Sequence, residues 1–169
     1  VIPEKETKEQ LLEVKNLILK GEHDKNILNN VNLHIKKGEI VGIAGVSGNG
    51  QSELIRCITG LEKVDGGNVI INNKDITNHT VMNIRESGIA HIPEDRYMWG
   101  SAPDATLAEN ALMGYEDNKE FSKKGILNIN KVTKHATDLI YKFRVKADSP
   151  SQKIKELSGG NAQKLIVAR

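Results

Sequence analysis

A chain of 169 residues is long enough to bury one real hydrophobic core. Apolar residues make up 38% and charged residues 27%, and 24 basic side chains nearly balance 22 acidic ones, so the basic excess of a phosphate-tracking surface is missing and no nucleic-acid partner is expected. No apolar run approaches the ~20 residues of a membrane helix, and the charged first residues lack the apolar centre of a signal peptide.

In chain order, residues 1–10 read as a solvated linker from a preceding domain, and residues 11–169 as one domain. Leu12, Val14 and Leu17 open a strand, and Val31, Leu33 and Ile35 alternate with Asn32 and His34 in a second, with one face buried and one wet. Residues 40–44 form a short apolar run that predicts a strand buried on both faces. A glycine-rich loop follows, then a helix over residues 52–58 that ends near Gly60. The single cysteine, Cys57, lies in that helix; it cannot form an internal disulfide and reads as a small core residue in a reducing compartment. Residues 68–71 and 89–92 predict two more strands, the second stopped by Pro93.

Helical patterns then take over. Thr106-Leu107-Ala108-Glu109 fits a capping box. Val132, Ala136, Leu139, Ile140 and Phe143 recur at the spacing of an amphipathic helix. Residues 114–125 read as a polar loop, and residues 161–169 as a helix after Leu157-Ser158-Gly159-Gly160.

Two segments carry chemistry. Gly45-Val46-Ser47-Gly48-Asn49-Gly50-Gln51-Ser52, between a predicted strand and a helix, matches the phosphate-loop spacing G-x4-G-x-[ST] except for its lysine. Glycines there let backbone amides and the positive helix end form an anion nest, and Ser52 would lend its hydroxyl to Mg²⁺. Gln51 stands where the lysine belongs. A charged hydrogen bond contributes about 1.5–3 kcal/mol and a neutral one about 0.5–1.5, so weak nucleotide binding and poor hydrolysis are expected. The competing reading is a glycine-rich turn that never meets nucleotide. The second segment, Leu157-Ser158-Gly159-Gly160-Asn161, sets a serine and two glycines at a helix start, a second anion site.

Together these segments resemble the nucleotide-binding domains of ABC transporters over nearly the whole chain. The resemblance implies an α/β fold: a P-loop ABC-type ATPase core with an N-terminal antiparallel β-subdomain and a helical insertion at about residues 100–157. Residues 45–52 look like an altered Walker A motif, residues 157–161 like the family signature with Asn161 where Gln is usual, and Glu94 falls at the Q-loop. Gly-Asn-Gly-Gln-Ser-Glu-Leu, Ile-Pro-Glu-Asp-Arg and Leu-Ser-Gly-Gly-Asn resemble the second, degenerate domain of tandem bacterial importers of nucleosides and monosaccharides, and Gln51 is nearer the nucleoside branch.

The resemblance implies ATP and Mg²⁺ as ligands, weakly held here. It also implies a preceding ATP-binding domain in the same chain as partner, transmembrane permease subunits met through the helical insertion, and a place at the cytoplasmic face of the membrane. His23 is the one ring near the position of the adenine-stacking aromatic, and Tyr97, Met98 and Trp99 are candidates either for permease docking or for internal packing. The Walker B carboxylates, catalytic glutamate and switch histidine should follow the signature helix. The chain thus reads as a fragment with no catalytic residue of its own, inactive alone, within a full protein that is an ATPase. A regulatory domain that binds nucleotide without hydrolysis is the alternative. One cysteine argues against the zinc-binding soluble ABC proteins, and no Gly-x-Ser-x-Gly elbow suggests a serine hydrolase.

Overall fold

The computed structural model describes residues 9–169. Most of the expected linker lies outside the described residues, but Gln10 already belongs to a strand. The chain divides into two compact units, with the boundary between Ala90 and His91.

In the first unit, β1 (Gln10–Lys20) and β2 (Asn26–Lys36) form an antiparallel hairpin through a 3-10 turn at Glu22–Asp24. β1 also pairs with β3 (Gly66–Ile71), which carries the two-residue β4 (Lys74–Asp75), giving the antiparallel order β2-β1-β3-β4. Val14 sits opposite Leu33 on one side and Val69 on the other, so the alternation read from the sequence becomes a continuous apolar face. Helix α1 (Gln51–Ile58) presses Leu54, Cys57 and Ile58 into the same core. Helix α2 (Val81–Glu86) adds Ile84 and is capped by the Thr80 hydroxyl, which accepts from the Asn83 amide. Loss of hydration, followed by the charge of Glu62, pushes the buried Cys57 thiol up to about 11.

Two sequence expectations are corrected. The run at residues 40–44 is not a buried strand: it pairs with no strand among the described residues, and Ile40 is 89% exposed. Residues 89–92 likewise form no strand. A strand exists only when a neighbouring backbone accepts and donates its ladder bonds. Apolar character alone supplies no such neighbour.

The second unit holds α3 (Leu107–Leu112), a small hairpin of β5 (Ser122–Lys123) and β6 (Ile126–Leu127), α4 (Ile129–Lys142) and α5 (Gly159–Ala168). Leu107, Ala136, Ile154 and Leu165 are fully buried at its centre. Along α4, Val132 and Ala136 are buried while Leu139, Ile140 and Phe143 pack partly exposed against the core, as their spacing predicts. The stretch expected as a plain polar loop contains β5 and a buried Phe121, whose ring lies 4.9 Å from that of His135.

The capping box forms. The Glu109 amide donates to Thr106 Oγ1 at 3.2 Å and the Thr106 amide donates to Glu109 Oε2 at 2.7 Å. Thr106→Ala is expected to cost about 1 kcal/mol, read by urea unfolding. The Thr106 amide first, and then its hydroxyl, hold the Glu109 carboxyl below its usual range. The stabilisation from this lowered value is complete above the ordinary Glu range and is lost as pH falls through the lowered value. Wild-type protein should therefore lose more stability than Glu109→Gln as pH falls from neutral to below the ordinary Glu range; equal losses would remove the carboxylate from the account.

Candidate phosphate-binding loop and signature segment

The loop before α1 is built for close backbone approach. Gly48 and Gly50 take left-handed backbone angles, φ +86° and +94°. At Gly50 an added Cβ would stand 3.0 Å from Leu28 Cδ2 and 3.3 Å from the Ile27 carbonyl oxygen, so strand β2 lies directly beneath it. Asn49 donates its amide to the Val46 carbonyl at 3.3 Å, and the first helical bond runs from Leu54 to Gly50 at 2.8 Å. Between them the amides of Gly50, Gln51, Ser52 and Glu53, like that of Gly48, find no acceptor among the described residues. Every α-helix start leaves such donors open, and here they follow a loop of phosphate-loop spacing.

The Gln51 side chain does not project away from the loop. It folds back over Gly45 and donates from Nε2 to the Val46 carbonyl at 3.2 Å, so it closes on its own backbone. Glu53, in the first turn, brings a negative charge near the nest; Arg56 offsets it at 3.1 Å and also holds Glu62 at 3.0 Å. The Ser52 side chain is exposed and makes no hydrogen bond among the described residues.

In the second unit, Leu157 is buried and anchors the signature segment, and Ser158 is the N-cap residue of α5. The Ser158 hydroxyl does not cap the helix. It accepts from Asn161 Nδ2 at 2.9 Å, while Asn161 Oδ1 accepts from the Lys146 amide at 3.0 Å. Asn161 thus braces the serine against the preceding loop. The amides of Gly159 and Gly160 have no acceptor among the described residues.

Glu94 is exposed at the start of a tight turn. Asp95 closes that turn by accepting from the amides of Tyr97 and Met98, both at 2.9 Å, and these bonds hold its carboxyl below the usual range. Tyr97 packs against the core of the second unit, whereas Met98 and Trp99 are 71% and 69% exposed. His23 is exposed in the 3-10 turn with φ 57°. Among the described residues no helix is long and apolar enough to cross a membrane. The sequence carried Arg96 only as part of the Ile-Pro-Glu-Asp-Arg resemblance, with no role of its own; it lies against Gly159, and no spacing rule links those two positions.

A profile described as ABC transporter matches residues 28–169. The chain is 41% identical over 162 residues to the nucleoside import ATP-binding protein NupA of Lactococcus lactis subsp. cremoris, covering 96% of this chain and 32% of that protein. It is 41% identical to the guanosine import ATP-binding protein NupO of Bacillus subtilis, covering 95% of this chain and 31% of that protein. It is 35% identical to a ribose import ATP-binding protein of Corynebacterium glutamicum, covering 94% and 29%. The chain therefore spans about a third of the curated relatives it matches.

Among solved structures, a nucleotide-free ATP-binding cassette from an ABC transporter superposes with a TM-score of 0.73 at 27% identity, covering 94% of this chain and 63% of that one. A dimeric cassette bound to ADP and Pi gives 0.70 at 28%, covering 94% and 68%. With the loop, the signature segment and these matches together, the chain belongs to the ABC transporter family of ATP-binding domains.

Proposed function

We propose that this chain is part of the second ATP-binding domain of a tandem importer ATPase, with a weak nucleotide site at residues 45–52 and a signature at residues 157–161 that serves the partner half. The observation that supports this reading is the row of open amides from Gly50 to Glu53 in a loop of phosphate-loop spacing, with Gln51 at the lysine position. In such a head-to-tail pair, each site joins one half's phosphate loop to the other's signature. Ser158, Gly159 and Gly160 would complete the site on the preceding domain of the same chain, and Ser52 would contribute to the Mg²⁺ shell of the weak site.

The relatives' names support a nucleoside as cargo, with simple sugars as the nearest rival. In this reading residues 100–157 face transmembrane permease subunits, and the protein works at the cytoplasmic face of the membrane. ATP supplies the phosphoryl transfer; the chain's own residues bind and orient the polyphosphate.

Gln51→Lys in the full-length protein tests this reading. A lysine removes the bond to Val46 and returns a charge to the nest. ATP affinity at this loop is expected to rise about tenfold, roughly 1.4 kcal/mol, and ATPase activity severalfold. If neither version binds at millimolar ATP, the site reading fails. The bond from Gln51 to Val46 also favours a second reading, a regulatory domain that holds nucleotide without turnover. In that case Gln51→Lys raises affinity and leaves ATPase activity unchanged.

A further inference from the structure

Arg96 acts on the neighbouring Asp95 carboxylate only at a distance. It forms no ion pair among the described residues, and its Nε–H is closed off from solvent with no acceptor. The neighbouring Asp95 carboxylate is occupied by the amides of Tyr97 and Met98. The guanidinium lies over the Tyr97 ring at 5.2 Å and against Gly159. A Cβ at Gly159 would stand 2.5 Å from Arg96 Nη2 and 3.1 Å from Cζ. Gly159 opens the ten-residue helix α5 and has no positive φ, so nothing in its own backbone calls for glycine. Alanine would be the better helix former there. An added side chain there would have to push the end of the Arg96 side chain aside.

The electrostatics are equally specific. A helix start carries partial positive charge, and the amides of Gly159 and Gly160 are open. The Arg96 guanidinium stands beside them and adds to the positive potential that an anion there would meet.

We infer that Arg96 is a positioning residue of the signature. It fixes the backbone of Gly159 and sets a permanent positive charge behind Ser158-Gly159-Gly160, and the polyphosphate of a nucleotide on the partner half completes the charge balance. This assignment rests on the proposed signature function. It also gives the Ile-Pro-Glu-Asp-Arg segment a second task besides carrying Glu94, because the same tight turn holds the helix that receives the anion.

The test uses the full-length protein with both ATP-binding halves, assembled with its permease, and reads KM and kcat for ATP hydrolysis separately. Arg96→Met is expected to raise KM for ATP about tenfold, the loss of one charged interaction. Arg96→Lys should recover part of that loss, since it keeps the charge and loses the planar fork. Gly159→Ala should also raise KM in wild type, yet add little on top of Arg96→Met, because the two residues act through one contact.

A purely structural Arg96 would lower the melting temperature and kcat with KM unchanged; that result overturns the inference, as would full additivity of the two changes. Should wild type neither bind nor hydrolyse ATP, the proposed function falls and takes the inference with it. Should wild type turn over and Ser158→Arg abolish turnover while Arg96→Met leaves KM unmoved, the inference alone fails.

Discussion

Gly50→Val should abolish nucleotide binding at the loop and destabilise the first unit by about 3 kcal/mol. Two costs combine. A left-handed backbone costs an L-residue about 1–2 kcal/mol, and a β-branched side chain is a true outlier there. The new Cβ also meets the Ile27 carbonyl at 3.3 Å and Leu28 Cδ2 at 3.0 Å. The Ile27 oxygen belongs to the backbone of β2, which is held in the sheet and cannot swing aside as a flexible side chain would. Relief must come from the loop, and any change of φ at Gly50 re-aims the open amides of Gln51 and Ser52 that follow it. Gly50→Ala should show the same direction at about half the size. Urea unfolding reads the first effect and an ATP titration the second. Normal affinity in the valine variant would mean that the amide nest is not the binding element.

The second large effect is expected at Asn110. This side chain is 1% exposed and satisfies four backbone groups at once. Its Oδ1 accepts from the Ala102 amide at 2.9 Å, and its Nδ2 donates to the carbonyls of Thr106 at 2.9 Å, Ala102 at 3.1 Å and Ala105 at 3.3 Å. Asn110→Leu leaves the Ala102 amide without its acceptor in a dry interior, while the carbonyls of Ala102, Ala105 and Thr106 keep the amides of Ala105, Ile154 and residue 110, and it forces a larger side chain into the space, at about 1–3 kcal/mol in all. Asn110→Asp replaces the donor with a second acceptor facing carbonyls, so it should destabilise at least as much at neutral pH. Acidification should relieve part of that loss, because a protonated carboxyl regains one donor. Circular-dichroism melts of both variants at two pH values decide the matter; a loss below about 1 kcal/mol for leucine would mean that water enters and repairs the site.

These two residues also mark where the sequence was readable and where it was not. The glycine loop was legible because its spacing states the backbone geometry directly. The hairpin of β1 and β2 was legible because Val31, Leu33 and Ile35 alternate with polar neighbours, a pattern only a half-buried strand satisfies. The strands at residues 40–44 and 89–92 were misread, since a short apolar run carries no information about a pairing partner. Helix α2 was overlooked although Thr80 stood as a cap ahead of Val81, and the six-residue length left too little periodicity to notice. Glu94 and the signature were placed by resemblance. Their surroundings, the Asn161 brace and the Arg96 contact, depend on approaches between segments far apart in the chain, which no local pattern encodes.

The position of Cys57 has a practical consequence. With its thiol raised from 9.0 to about 11, it holds about a hundredfold less thiolate near neutral pH than an ordinary cysteine, and it is buried as well. A maleimide dye will therefore pass it by without any need to mutate it. A cysteine introduced at Val46, 74% exposed on the rim of the loop, would be the sole reactive sulfur among the described residues. Within these 169 residues, then, no cysteine has to be removed before such a fluorescent reporter of nucleotide arrival is attached.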